Sequence, residues 1–159
     1  MNMARHLEEL SRAVGDATLA CAKAEHLLGG LILGLAESEE VHFIGKPGRP
    51  MGQLIKEARR LLGDRDDLGT RRAHADSLLD DLNALKDKRN RLIHDAVIVH
   101  PIREGETTPR FDRLSSAWGS HPSIEPFEVS ELCEIAAELE RASMARAMWS
   151  HDNLPYIRA

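Results

Sequence analysis

The chain has 159 residues, a mass of 17.7 kDa and a formal charge of −5; that length suits one domain that needs no disulfide or metal staples. With 42% hydrophobic and 30% charged residues, the composition is globular rather than disordered. No uninterrupted apolar run reaches ~18 residues and the first nine residues mix charges, so the sequence predicts neither a membrane span nor a signal peptide, and a cytoplasmic protein is expected.

The charge is uneven. Residues 1–40 and 125–159 each carry three basic and seven acidic side chains, which leaves the middle at net +3. Within that middle, residues 46–72 hold eight basic side chains against four acidic ones. Overall acidity argues against a nucleic-acid sponge, yet a basic centre between acidic ends can hold a phosphate backbone. Cys21 and Cys133 are too few and too distant for a disulfide framework. Each sits in an apolar helical pattern and is expected as a reduced core thiol.

In chain order, a first helix is marked by Leu7, Leu10, Val14, Ala17, Cys21, Ala24, Leu28, Leu31 and Leu35, at alternating steps of three and four. The small residues at its centre allow close approach of another helix. Gly29, Gly30 and Gly34 lower helix propensity and suggest a kink or a close contact. Residues 45–50, Gly-Lys-Pro-Gly-Arg-Pro, are loop chemistry. A second helix is predicted from about Met51 to Leu62, with Gly63 just past its end. A third runs from about Thr70 to Ala96, on a stripe of Leu78, Leu82, Leu85, Arg89, Leu92 and Ala96. An arginine thus occupies a position reserved for an apolar side chain, and burying an unpaired guanidinium is costly.

Residues 96–99 are short and β-branched, Glu104-Gly105-Glu106 is a turn signal, and residues 110–114 can return as a second strand. Pro122 and Pro126 then lead to a last helix with Ser130 as its cap and a stripe of Leu132, Cys133, Ala136, Leu139, Ser143 and Ala147. The expected fold is all-α: one domain over residues 1–159, with its core at about 5–150. It is an up-and-down bundle of four main helices, with a small β-hairpin or irregular excursion before the last one.

The chemistry concentrates in residues 86–95, Lys-Asp-Lys-Arg-Asn-Arg-Leu-Ile-His-Asp. Arginine grips phosphate with a planar fork, histidine moves protons near neutral pH, and asparagine orients either. These are the parts that phosphodiester cleavage needs without a metal. Asn90 and His94 share a helix face, as do Arg91 and His94. Arg89 and His94 diverge by about 140° on an ideal helix. Either the helix ends or bends near His94, or a second copy of the chain completes the site; the second alternative also accounts for an arginine on the apolar stripe.

Arg89-Asn90-x-x-x-His94 resembles the Arg-x(4–6)-His motif of the HEPN superfamily (higher eukaryotes and prokaryotes nucleotide-binding), where a polar residue after the arginine is typical. The start of the second helix, Gly52-Gln53-Leu54-Ile55-Lys56, is similar to a feature of some members. The resemblance spans roughly residues 5–150, although six positions carry the motif. It implies a metal-independent endoribonuclease, with no cofactor, whose site is shared at a homodimer cleft. The 2′-hydroxyl of RNA attacks the adjacent phosphate and leaves a 2′,3′-cyclic phosphate. In that scheme His94 is the general acid or base, Arg89 binds the scissile phosphate and Asn90 positions both. Arg91 and Lys88 lie outside the motif and are expected to touch the RNA backbone. Many members are toxins or phage-defence proteins, often with an antitoxin partner; others are inert modules that bind RNA, a nucleotide or a protein.

Each residue also has a plainer reading. Arg91 and Lys88 suit a solvated helix face. Arg89 suits an internal ion pair with Asp95 or a first-helix glutamate, and His94 a helix C-terminus favoured by the macrodipole. His6, His26, His42, His74, His100, His121 and His151 show no ligand spacing, so no metal site is expected. The glycines at 45, 48 and 52 do not follow a strand, which argues against a P-loop or dinucleotide fingerprint. Trp118 and Trp149 are expected to pack rather than stack on bases. A third possibility is an interaction protein whose first-helix heptads dock on a toxin.

Overall fold

The structure, a computed structural model, describes residues 3–36, 49–94, 96–100, 104–105, 109–115 and 123–154. The predicted loop at 45–48, Trp118, Pro122, His42 and His121 lie outside the described residues. Helix α1 spans Met3–Ala36, α2 Met51–Gly63, α3 Thr70–His94 and α4 Val129–Asn153. A 3-10 turn at Asp66–Leu68 joins α2 to α3. Three short strands, β1 (Ala96–Val99), β2 (Phe111–Ser115) and β3 (Ser123–Phe127), precede α4. The protein is therefore mostly helical, with a small antiparallel sheet.

The apolar stripe of α1 is buried from Ala13 through Ala17, Cys21, Ala24, Leu28 and Leu31 to Leu35, whereas Leu7 is exposed. Alanine and cysteine at the centre let α4 and α2 lie close against it. Leu79 and Leu82 of α3 and Leu132 and Leu139 of α4 are fully buried in the same core, each contributing about 1.5–3 kcal/mol by transfer. By length and composition α1 also passes as a helix able to cross a membrane, because leucine and isoleucine in its C-terminal half raise its mean hydropathy although Lys23, Glu25 and His26 interrupt the apolar run. Here its apolar face packs against the other helices.

Cross-helix pairs fix the helix directions. Lys23 of α1 meets Glu140 of α4, and His6 and Glu9 border a cleft with Glu128 and Ser130, so α1 and α4 run parallel. The amide of Met51 donates to Glu25 (3.1 Å) and Arg65 donates to the carbonyl of Leu35 (3.3 Å), so α2 runs parallel to α1 as well. Only α3 opposes them, with Lys88 beside Glu138 of α4 and Arg59 of α2 paired to Asp80. The up-and-down alternation expected from the sequence is not the arrangement found.

Local differences have local causes. Gly63 closes α2 rather than following it; Asp64 caps the helix at φ −83°, and the left-handed glycine is Gly69 (φ +51°), which reverses the chain into α3. Helix α3 stops at His94 instead of Ala96, because Ala96-Val97-Ile98-Val99 pairs with β2, Ala96 opposite Leu114 and Val99 opposite Phe111. The hairpin turn carries the expected Gly105, at φ +90°; Glu106 lies outside the described residues. Strand β3 was not expected. Its Pro126 stands opposite Asp112 on an edge strand, where a missing N–H is tolerated. Phe111 and Phe127 face one another across β2 and β3 and anchor the sheet in the core.

Helix α4 begins before Ser130. Glu128 and Glu131 form a reciprocal capping box, which satisfies two orphan amides and leaves the serine inside the helix. Cys133 is exposed, contrary to expectation, since Leu132, Ile135 and Leu139 take the core face. Cys21 is buried as expected.

Candidate functional site

Arg89 and Asn90 sit in the last turns of α3 and are both half-buried. Arg89 Nη1 donates to Asn90 Oδ1 at 3.0 Å, so two of the three expected catalytic side chains are joined. Arg89 Nε is buried with no acceptor, an arrangement that costs about 1–3 kcal/mol. Among the described residues no carboxylate pairs with Arg89. Its charge is felt across the seam with α1: burial pushes the Cys21 thiol up, Arg89 pulls it down and Glu25 pushes it up again. Glu25 instead accepts from the amide that opens α2. The internal ion pair with a first-helix glutamate is therefore not formed, and Asp95 lies outside the described residues.

The start of α2 adjoins this part of α3. A Cβ built on Gly52 would stand 3.4 Å from Lys86 Nζ, and Lys86 Nζ donates to Asn83 Oδ1 at 2.9 Å and pairs with Asp87 at 3.1 Å. The second-helix feature singled out in the sequence and the cationic end of α3 thus face each other.

Lys88 and Arg91 leave α3 on a different side. Both border a recess of about 250 Å³ with Arg113, Glu131 and Glu134. Lys88 Nζ lies 3.9 Å from Glu138 Oε2. An RNA backbone reaching these two cations would compete with three glutamates of α4. Arg113 itself is engaged by Glu125 directly across the sheet, through its Nε at 3.0 Å and its Nη2.

His94 is the last residue of α3: the helix ends at this position, but Arg89 and His94 both still lie within it, so the helix end does not by itself bring them to one face. The His94 side chain lies outside the described residues. The backbone places it five residues beyond Arg89, at the junction with β1.

Sequence reading missed two clusters. Asp112, 6% exposed on the central strand, accepts from Arg110 Nη2 at 3.2 Å and is bound to His100 Nε2 at 2.8 Å. The pairing of residues 98–100 with 110–112 creates this cluster, so no linear spacing announces it. Arg146 of α4 is 3% exposed, and burial lowers its pKa to about 10. The signal was present: Leu139, Ser143, Arg146 and Ser150 recur at helical steps, and the stripe runs through Arg146 rather than only past it at Ala147. Trp149 is buried and packs, as expected.

Among the described residues no group of three histidine, cysteine or carboxylate side chains is placed to hold a metal ion. No protein-family model, curated protein or solved structure matches this chain.

Proposed function

We propose that this chain is a HEPN-like, metal-independent endoribonuclease of toxin–antitoxin or phage-defence type, acting in the cytoplasm as a homodimer. The observation that carries the reading is Arg89: a half-buried guanidinium on an apolar stripe, bonded to Asn90, with a buried Nε lacking an acceptor and no carboxylate partner among the described residues. Such a group is a preorganised donor for an anionic transition state. On this reading His94 transfers the proton between the 2′-hydroxyl or the leaving 5′-oxygen and solvent, while Arg89 stabilises charge on the scissile phosphate and Asn90 holds the guanidinium. A second copy brings its own His94 to the cleft, because five helical residues separate the two groups on one α3. Lys88 and Arg91 would contribute to RNA-backbone contact only where α4's glutamates are displaced or outcompeted.

Cleavage of a mixed RNA pool in EDTA tests this, with wild type beside His94→Ala and the product ends mapped. Cyclic-phosphate ends from wild type alone are expected, with a rate loss of roughly 10²–10⁴-fold in the variant. Equal cleavage by both overturns the role of His94. Cleavage by neither favours the catalytically inert module that binds RNA, a nucleotide or a partner protein.

A further inference from the structure

Five buried polar atoms lack a hydrogen-bond partner among the described residues, and three of them, Ser143 Oγ, Arg146 Nε and Trp149 Nε1, belong to the second half of α4. Arg146 is the extreme case. Its Nη1 donates to Ser150 Oγ at 3.2 Å, and that hydroxyl donates in turn to the Arg146 carbonyl at 3.1 Å. No carboxylate pairs with it among the described residues, and burial alone accounts for its depressed pKa. A buried cation without a counter-charge is among the costliest arrangements in a protein interior.

Beside it, between α1 and α4, is a cavity of about 320 Å³, bordered by Arg146 and Ser150 on α4 and by His26, Gly29, Gly30, Leu31 and Leu33 on α1. Among the described residues no acidic side chain lines it. The two glycines were expected to mark a kink or a close contact. Helix α1 instead runs through them, and a Cβ on either would meet nothing within 4 Å. Neighbouring atoms therefore do not require glycine here, although each lowers helix propensity. What the missing side chains leave is open space next to the guanidinium.

We propose that this cavity binds a carboxylate carried on an apolar chain, with Arg146 as its counter-charge. Among the described lining residues Arg146 is the one guanidinium, and His26 is exposed, so the buried end of the cavity answers one negative charge, and a monoanion fits where a phosphate dianion leaves charge buried. Leu31 and Leu33 cover the chain. The volume is at the small end of ligand cavities, roughly 300–1,000 Å³, and suits a medium-length chain.

Calorimetric titration of the full chain with octanoate, 1-octanol and inorganic phosphate tests the assignment without any reference to RNA cleavage. Octanoate is expected to bind at least about tenfold more tightly than octanol or phosphate, about one power of ten in Kd. Arg146→Met is expected to weaken octanoate by about tenfold or more and to leave octanol unchanged. Gly30→Leu, a helix-favouring change that fills the space, is expected to abolish both. The proposal is overturned by absent octanoate binding, by equal affinity for octanoate and octanol, by tighter phosphate binding, or by octanoate binding unchanged in Arg146→Met. If Arg146→Met does not fold, Gly30→Leu decides: octanoate binding retained there overturns it.

Discussion

Two sides of the end of α3 carry the same kind of charge in opposite settings. Lys88 and Arg91 border a recess with Glu131 and Glu134, and Lys88 also meets Glu138. Arg89 lies toward α1, bonded to an amide side chain and paired with no carboxylate among the described residues. Adjacent residues of one sequence therefore differ in what their charge is free to do. A cation answered by glutamates is spent on holding helices together, and one held by a neutral partner remains available to an anion. Cationic density along a chain does not by itself mark a binding surface; the acids of the next helix decide which part of it is usable.

The sharpest break would come from Arg89→Ala against Arg91→Ala. RNA cleavage is expected to fall by roughly 10²–10³-fold in the first, the scale of losing one oriented transition-state donor, and by less than about tenfold in the second, where a rim charge is removed. Equal losses, measured as single-turnover rates, would erase the distinction. Arg89→Met separates function from fold. Replacing a half-buried cation that has no carboxylate partner among the described residues with an apolar side chain is expected to be neutral or to stabilise by about 1–4 kcal/mol in denaturant unfolding, while cleavage is lost. Marked destabilisation would mean that Arg89 is structural.

Stronger binding is expected on the other side. Glu131→Gln, Glu134→Gln and Glu138→Gln together uncover Lys88 and Arg91. RNA affinity should rise, and the dependence of log K on log salt should steepen by about 0.7 for each further phosphate that these cations neutralise on a single strand. An unchanged slope in filter binding would show that these cations do not reach RNA. The smallest effect concerns the seam that Arg89 shares with α1. At pH 8 in native protein, iodoacetamide is expected to modify exposed Cys133 and to spare Cys21, whose thiol is buried and pushed up. Both should react in denaturant. Removing Arg89 also removes the influence that lowers the Cys21 pKa, so native Cys21 should become still less reactive; peptide mass spectrometry reads both results.

How much of this was legible in the sequence follows from the range of each interaction. Helices α1 to α4 were readable because their apolar residues repeat at helical steps, and Met51 and Thr70 began their helices where proline and glycine punctuation placed them. The odd position of Arg89 was readable for the same reason. Helix direction was not, since periodicity describes one helix at a time and carries no sign. Strand β3 was hidden by Pro126, which discounts a strand unless the edge position is known. The cap of α4 was misplaced because a serine outranks a glutamate in cap preference, whereas the Glu128–Glu131 pair acts reciprocally. The cluster of His100, Arg110 and Asp112 arises only when two strands pair. Cys133 was misjudged because a stripe read at steps of three and four tolerates one residue of slippage, enough to turn a side chain to solvent.

The parallel pairing of α1 with α4 has a kinetic consequence. The helix formed by Met3–Ala36 buries its stripe largely against Val129–Asn153, so the principal helix contact joins the two ends of the described chain. A bundle whose neighbours follow one another in sequence closes short loops; this one pairs residues as far apart as Lys23 and Glu140, and folding slows as contacts become less local. During synthesis the stripe of α1 emerges long before its cover. The nascent chain therefore presents an apolar helix to whatever is near the ribosome exit, and shortening α4 would make that transient exposure permanent.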